Sequence, residues 1–196
     1  MNYLEIAGTA VGVIYLWLEY RASAWLWLAS IVMPALYIGV YYKAGLYADL
    51  GISIYYIIAS VYGAACWLWG HSAPENSGRI THTPRRVVMP LLWVGATIFI
   101  VIGYILSRCT DSTVPWADAF TTALSIVAMW MLARKYLEQW VVWIAADMAC
   151  TALYAYKGLW FTSGLYLAYA VIAVFGFRIW KVLMNEYNGF NSRFCT

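Results

Sequence analysis

The sequence predicts an all-α integral membrane protein with seven transmembrane helices in a three-plus-one-plus-three arrangement. Three observations carry this reading. Of the 196 residues, 64% are hydrophobic and only 11% charged, against about 25% charged in soluble domains. The apolar residues fall into seven runs close to the roughly 20 residues that a helix needs to cross a bilayer. A shift of 113 residues, which carries Thr9 onto Thr122, aligns the first three runs with the last three without a gap. Alternating barrel strands are excluded because the runs are too long and too continuous.

The first run, 3–20, opens Leu4-Glu5-Ile6. It lacks the basic start of a signal peptide and is expected to remain in the mature protein. Glu5 sits where a carboxylate complements a helix N-terminus. The break Glu19-Tyr20-Arg21 leads into the second run, 22–42, which contains Pro34, a residue able to kink a helix. Lys43-Ala44-Gly45 leads into the third, 46–69, with Asp49 one turn inside. These short breaks predict antiparallel neighbours, and residues 1–69 make the first three-helix repeat. Residues 70–86 are polar, with Pro74, Gly78 and Pro84, and read as a cytoplasmic loop. Its His71 and His82 are too few for a metal site and read as solvated. The fourth run, 87–106, is a lone linker helix.

After a polar stretch, Ser107 to Pro115, residues 117–180 form the second repeat, with runs at 117–133, 138–156 and 159–180. Asp118 takes the place of Glu5. Lys157-Gly158 is a tight break, and 181–196 is a cytoplasmic tail. Cys66, Cys109, Cys150 and Cys195 have neither metal-ligand nor redox spacing. Cys66 and Cys150 lie inside runs and read as small buried residues.

The repeat includes rare and bulky matches: Trp17/Trp130, Arg21/Arg134, Trp27/Trp140, Tyr41/Tyr154, Gly63/Gly176 and Trp67/Trp180. Three helices per repeat is an odd number, so the linker helix gives both repeats the same orientation. Parallel repeats of this kind hold substrate near the midplane. Arg21, Arg79, Arg85, Arg86, Arg134, Lys135, Arg178, Lys181 and Arg193 fall at one set of ends, Lys43, Arg108 and Lys157 at the other. The richer side is expected to be cytoplasmic, with the N-terminus outside and the C-terminus inside.

The run from Gln139 to Lys157 carries the expected site. Trp140, Trp143, Asp147, Thr151 and Tyr154 follow a three-then-four spacing and share one helix face. An acid at membrane depth is costly and marks a functional site by default. Trp beside a carboxylate suits a flat, cationic ligand, because the ring face attracts the cation. Trp25, Trp27, Ser53, Tyr56, Tyr154 and Asp49 are further lining candidates. Interfacial belts account for many of the other aromatics, and the glycines, Gly63 and Gly176 among them, read as turns or close helix contacts. At the position of Asp147 the first repeat has Pro34. The sequence contains no phosphate-binding loop, HExxH or nucleophile elbow. No catalytic residue, metal or cofactor is expected, and the absence of a chain of membrane acids favours facilitated diffusion over ion-coupled pumping.

Gln139-Trp140-x-x-Trp143-x-x-x-Asp147, then Leu153-Tyr154-x-Tyr156-Lys157-Gly158-Leu159, and Gly176 to Trp180, resemble the C-terminal signature of PnuC-type vitamin transporters. Trp25-x-Trp27, Leu46-Tyr47-Ala48-Asp49 and Tyr62-Gly63 resemble the same family's N-terminal half. The resemblance covers nearly the whole chain. It implies a bacterial inner-membrane uniporter of nicotinamide riboside or a related vitamin, similar in fold to SWEET sugar transporters and homotrimeric. Uptake is made one-way by a cytoplasmic kinase that phosphorylates the substrate. It also implies that Trp140, Trp143 and Asp147 bind substrate. Leu28 stands where nicotinamide riboside carriers often have proline, and Ser53 where they often have glutamine. Thiamine, also flat and cationic, fits the same Trp-plus-Asp set. The residues by themselves also admit a SWEET-like sugar facilitator or a non-transporting membrane scaffold.

Overall fold

A computed structural model describes residues 17–44, 47–69, 79–109, 114–158 and 160–194. Helical residues 17–20 precede α1 (Trp25–Ala44), α2 (Tyr47–Trp69), α3 (Arg85–Cys109), α4 (Pro115–Ala133), α5 (Gln139–Tyr156) and α6 (Trp160–Phe194). The fold is all-helical. Its only extended pairing among the described residues is an isolated bridge between Thr81 and Tyr136. Three stretches, Arg85–Cys109, Pro115–Ala133 and Thr162–Glu186, are long and apolar enough to cross a membrane on their own. Helix α5 is less apolar, because Gln139, two tryptophans, Asp147 and two tyrosines interrupt it.

The chain forms two compact units, Met1–Arg79 and Ile80–Thr196. In the first, α1 packs on α2. In the second, α5 packs on both α4 and α6, and α3 packs on α4. Helix α3 is therefore the outer layer of its unit, and only 6% of its most apolar stretch is buried.

Helix ends follow local chemistry. Pro115 at the start of α4 has no N–H to leave unsatisfied, and Asp118 lies in the first turn, as expected for a carboxylate facing the dipole. Asp118 also pairs with Lys157 at 2.9 Å. Gly158, at φ 75°, adopts the left-handed conformation that ends α5. Helix α6 runs on to Phe194, so most of the expected tail is helix. The apolar pattern stops near Trp180, but nothing in Lys181–Phe194 stops the backbone: there is no proline and only one glycine, Gly189.

The two units build the same local geometry at the 113-residue offset. Trp27 meets Trp67 edge-on, with centroids 5.7 Å apart and planes at 87°. Trp140 meets Trp180 at 5.7 Å and 86°. Each tryptophan lies flat over a glycine. A Cβ on Gly63 would collide with the Trp27 ring, and one on Gly176 would come within 2.5 Å of Trp140. Arg21 stacks over Trp17 at 4.3 Å, and Arg134 over Trp130 at 5.5 Å.

The bend before each platform also recurs. Ala22 N–H donates to Glu19 and Ser23 N–H to Leu18; Lys135 N–H donates to Leu132 and Tyr136 N–H to Met131. This is the Schellman pattern, with its left-handed residue at Ala22 (φ 48°) and Lys135 (φ 54°). Neither residue is glycine, so each bears the Cβ cost of that conformation.

Candidate functional site

Helix α5 presents Gln139, Trp140, Ala146, Asp147, Cys150 and Leu153 to the interior of its unit. Helical spacing puts Trp140, Trp143, Asp147 and Tyr154 on one face, but the structure divides them by role. Trp140 is 2% exposed and held in the Gly176–Trp180 platform. Its ring packs on Gly176 and Trp180. Trp27 is 1% exposed in the matching platform. Trp25, at the first position of α1, is 69% exposed and contributes nothing to the interior of its unit.

Trp143, one turn beyond Trp140, is less deeply buried as a residue. Its indole N–H is buried and has no hydrogen-bond partner among the described residues. Asp147, one turn further, is 8% exposed. Its backbone carbonyl accepts from Thr151 Oγ1 at 2.8 Å. Its carboxylate has no hydrogen bond or ion pair among the described residues. A carboxylate in that state is expensive. Two neighbouring polar groups, one donor and one anion, are thus left open on successive turns of one helix.

Helix α6 supplies what sequence reasoning missed. Tyr166 stacks on Tyr154, with centroids 5.2 Å apart and planes 17° from parallel, and Tyr169 meets Tyr166 edge-on at 5.9 Å. Tyr169 and Cys150 also lie near Asp147. The repeat offered a signal, since Tyr169 is the counterpart of the candidate Tyr56. Ser163 Oγ donates to the Thr151 carbonyl at 2.8 Å and ties α6 to α5 beside this row.

In the first unit, Ser53 is buried and Tyr56 half-buried, with its carbonyl accepting from Ser60 Oγ at 2.6 Å. Ser30, the counterpart of Trp143, donates to Ser60 at 2.8 Å. The side chain of Asp49, all of His71, and Glu5 lie outside the described residues.

The start of α5 is held by a second cluster. Thr81 N–H donates to the Lys135 carbonyl at 3.1 Å, and Leu137 N–H to the Thr81 carbonyl at 2.9 Å. The Glu138 carboxylate accepts from the Thr83 N–H at 2.8 Å and hydroxyl at 2.7 Å, and meets His82 Nδ1 at 2.7 Å. Burial pushes the Glu138 carboxyl up, but the hydrogen bonds from His82 and Thr83 outweigh it and hold the group below the ordinary range. The end of the loop is therefore clipped to α5, where a wholly solvated loop was expected. Among the described residues no cluster of three or more His, Cys, Asp or Glu side chains could hold a metal.

Comparison with known proteins agrees with this architecture. The sequence pattern of the family described as nicotinamide mononucleotide transporter matches residues 2–182. The chain is 23% identical to the nicotinamide riboside transporter PnuC of Escherichia coli, over 92% of this chain and 85% of that protein. It is 25% identical to the riboflavin/roseoflavin transporter RibM of Streptomyces davaonensis, over 90% of this chain and 83% of that one. The crystal structure of the vitamin B3 transporter PnuC superposes with a TM-score of 0.70 at 22% identity, covering 94% of this chain and 83% of the other, and so shares the fold.

Proposed function

The chain belongs to the nicotinamide mononucleotide transporter family, the PnuC-type transporters, and from that premise we propose that it carries a flat, cationic vitamin across the membrane, nicotinamide riboside first and thiamine second. It is a multi-pass membrane transporter and not an enzyme. The relatives named for nicotinamide riboside and for riboflavin support a vitamin as the substrate class.

One observation carries the choice of a cation: Asp147, 8% exposed as a residue, has no hydrogen-bond or ion-pair partner for its carboxylate among the described residues and lies one turn from an open indole N–H. A ligand with a positive, aromatic ring supplies the missing charge, and Trp143 and Tyr169 supply ring faces. Neutral riboflavin or a sugar would leave Asp147 uncompensated. Trp140 acts behind this pair, fixing the start of α5. Tyr154 and Tyr166 extend the aromatic row. Ser53, Tyr56 and Asp49 stay as second-rank lining residues of the first unit, with Trp27 holding its platform behind them and Trp25 at the helix start.

Transport in this proposal is uniport by facilitated diffusion in a bacterial inner membrane, with the vitamin trapped inside by phosphorylation. The N-terminus is outside, the C-terminus cytoplasmic, the plan three-plus-one-plus-three and SWEET-like, and the assembly a homotrimer. The uneven basic residues support the orientation, and the geometry repeated at 113 residues supports the duplication.

The test is a thermal-shift panel of purified protein against nicotinamide riboside, thiamine, riboflavin and simple sugars. A ligand that binds only the folded state raises apparent stability by mass action. A rise with one or both cationic vitamins is the expected result. A response to riboflavin or a sugar alone would remove the charge argument.

A further inference from the structure

Helix α3 leaves an open groove of about 520 Å³ against α4 and the start of α5. Apart from Thr83 and Glu138 at one end, every residue lining it is apolar. Its floor is close-packed: a Cβ on Gly95 would lie 3.3 Å from Val127. At the far end Phe99 and Phe120 meet edge-on, 6.1 Å apart, and close it. Val88, Leu92 and Phe120 are exposed along it.

Two features identify an occupant. The first is length. From Val88 to Phe99 the helix rises about 16 Å, and one leaflet of a hydrocarbon core about 30 Å thick is about 15 Å deep. The second is charge. Arg85, Val88, Leu92, Gly95 and Phe99 recur at three-then-four spacing, so Arg85 continues the groove face by one turn. Arg85 and Arg86 are exposed and make no ion pair among the described residues. The one carboxylate lining the groove, Glu138, is already bound by His82 and Thr83. The groove thus offers an apolar channel about as long as one leaflet is deep, with two exposed arginines one turn beyond its open end.

We propose that this groove is a binding site for an anionic phospholipid, with one acyl chain lying between α3 and α4 as far as Phe99 and the phosphate on Arg85 and Arg86. The site is independent of the substrate assignment. A bound chain would cover the least buried helix of the unit and brace it against α4.

Delipidated protein in detergent, followed by native mass spectrometry and thermal shift, tests this. The probes are phosphatidylglycerol, phosphatidylcholine with identical chains, and glycerol 3-phosphate. Phosphatidylglycerol is expected to be retained and to raise the melting temperature more than phosphatidylcholine, and glycerol 3-phosphate to do neither. The double variant Arg85→Gln/Arg86→Gln should bind phosphatidylglycerol about thirtyfold more weakly, the contribution of two cations at an anionic surface. Ala96→Phe fills the groove and should displace either lipid while helix content and elution volume stay unchanged. Equal retention of the two lipids, binding of glycerol 3-phosphate alone, or indifference to the arginine pair would overturn the proposal. So would an Ala96→Phe protein that keeps its lipid, or one that changes oligomeric mass without losing lipid, which would assign the groove to a second copy of the chain.

Discussion

Helices α1 and α5 begin alike and then part. Both leave a Schellman bend whose left-handed residue is not glycine, and both set a buried tryptophan over a glycine and edge-on to a second tryptophan. One turn later α1 has Ser30, satisfied by Ser60 and the Trp27 carbonyl, where α5 has Trp143 with its indole N–H open. A further turn on, α1 has Pro34 and α5 the unpartnered Asp147. Both platform tryptophans, Trp27 and Trp140, keep a buried indole N–H without a hydrogen bond among the described residues, so the copies differ only beyond the platform, where Ser30 is hydrogen-bonded and the Trp143 indole and Asp147 carboxylate are not. Buried groups left open are costly, so the asymmetry points to a ligand at α5.

The largest effect that would break this comparison is expected from Trp143→Ser, which gives α5 the residue of α1. Saturable uptake should be lost while the protein still assembles. Normal uptake would show that the divergence is not functional. Next in size is the paired substitution Gly63→Ala and Gly176→Ala. Each forces a methyl into a tryptophan ring and should destabilise the protein by about 1–3 kcal/mol. Only Gly176→Ala should also weaken vitamin binding, because it moves Trp140 at the start of α5. Chemical denaturation and ligand titration of the two variants separate these effects. Smaller still is Ser60→Ala, which removes the bond to Ser30 at about 0.6 kcal/mol, typical of one side-chain hydrogen bond between membrane helices, and leaves uptake unchanged.

The smallest effect concerns the clip at the α5 start. A carboxyl held below its ordinary range stabilises the fold above that range, and loses this as pH falls through the depressed value. Hydrogen exchange at the Thr83 amide should therefore stay slow at neutral pH and quicken only in acid. Glu138→Gln should exchange faster at neutral pH and lose the acid transition.

Much of this was legible in the sequence, for identifiable reasons. Apolar runs near bilayer length pointed to the helices, and the 113-residue offset pointed to the matching pairs Trp27/Trp67 and Trp140/Trp180 that meet in each unit. Asp147 stood out because an acid in an apolar run is costly. What was not legible depended on contacts between helices. Helical spacing put Trp140 and Trp143 on one face, but only the bare Cα of Gly176 explains why Trp140 sinks fully into packing while Trp143 stays partly exposed. The bends at Ala22 and Lys135 lack the glycine that usually marks them. Glu138 reaches a loop 55 residues away in sequence, a partnership no local pattern reports. Helix α6 outran its apolar stretch because hydropathy measures the membrane and not the backbone.

Asp147, held open for a positive ligand, is the centre of the proposed mechanism. Calorimetric titration of purified wild-type protein and Asp147→Asn with nicotinamide riboside and thiamine tests this most directly. The side chains are nearly isosteric and differ in charge, so the variant should bind whichever vitamin the wild type binds about tenfold to a hundredfold more weakly, the range for a hydrogen bond to a charged group. Equal affinity in the two proteins would contradict it.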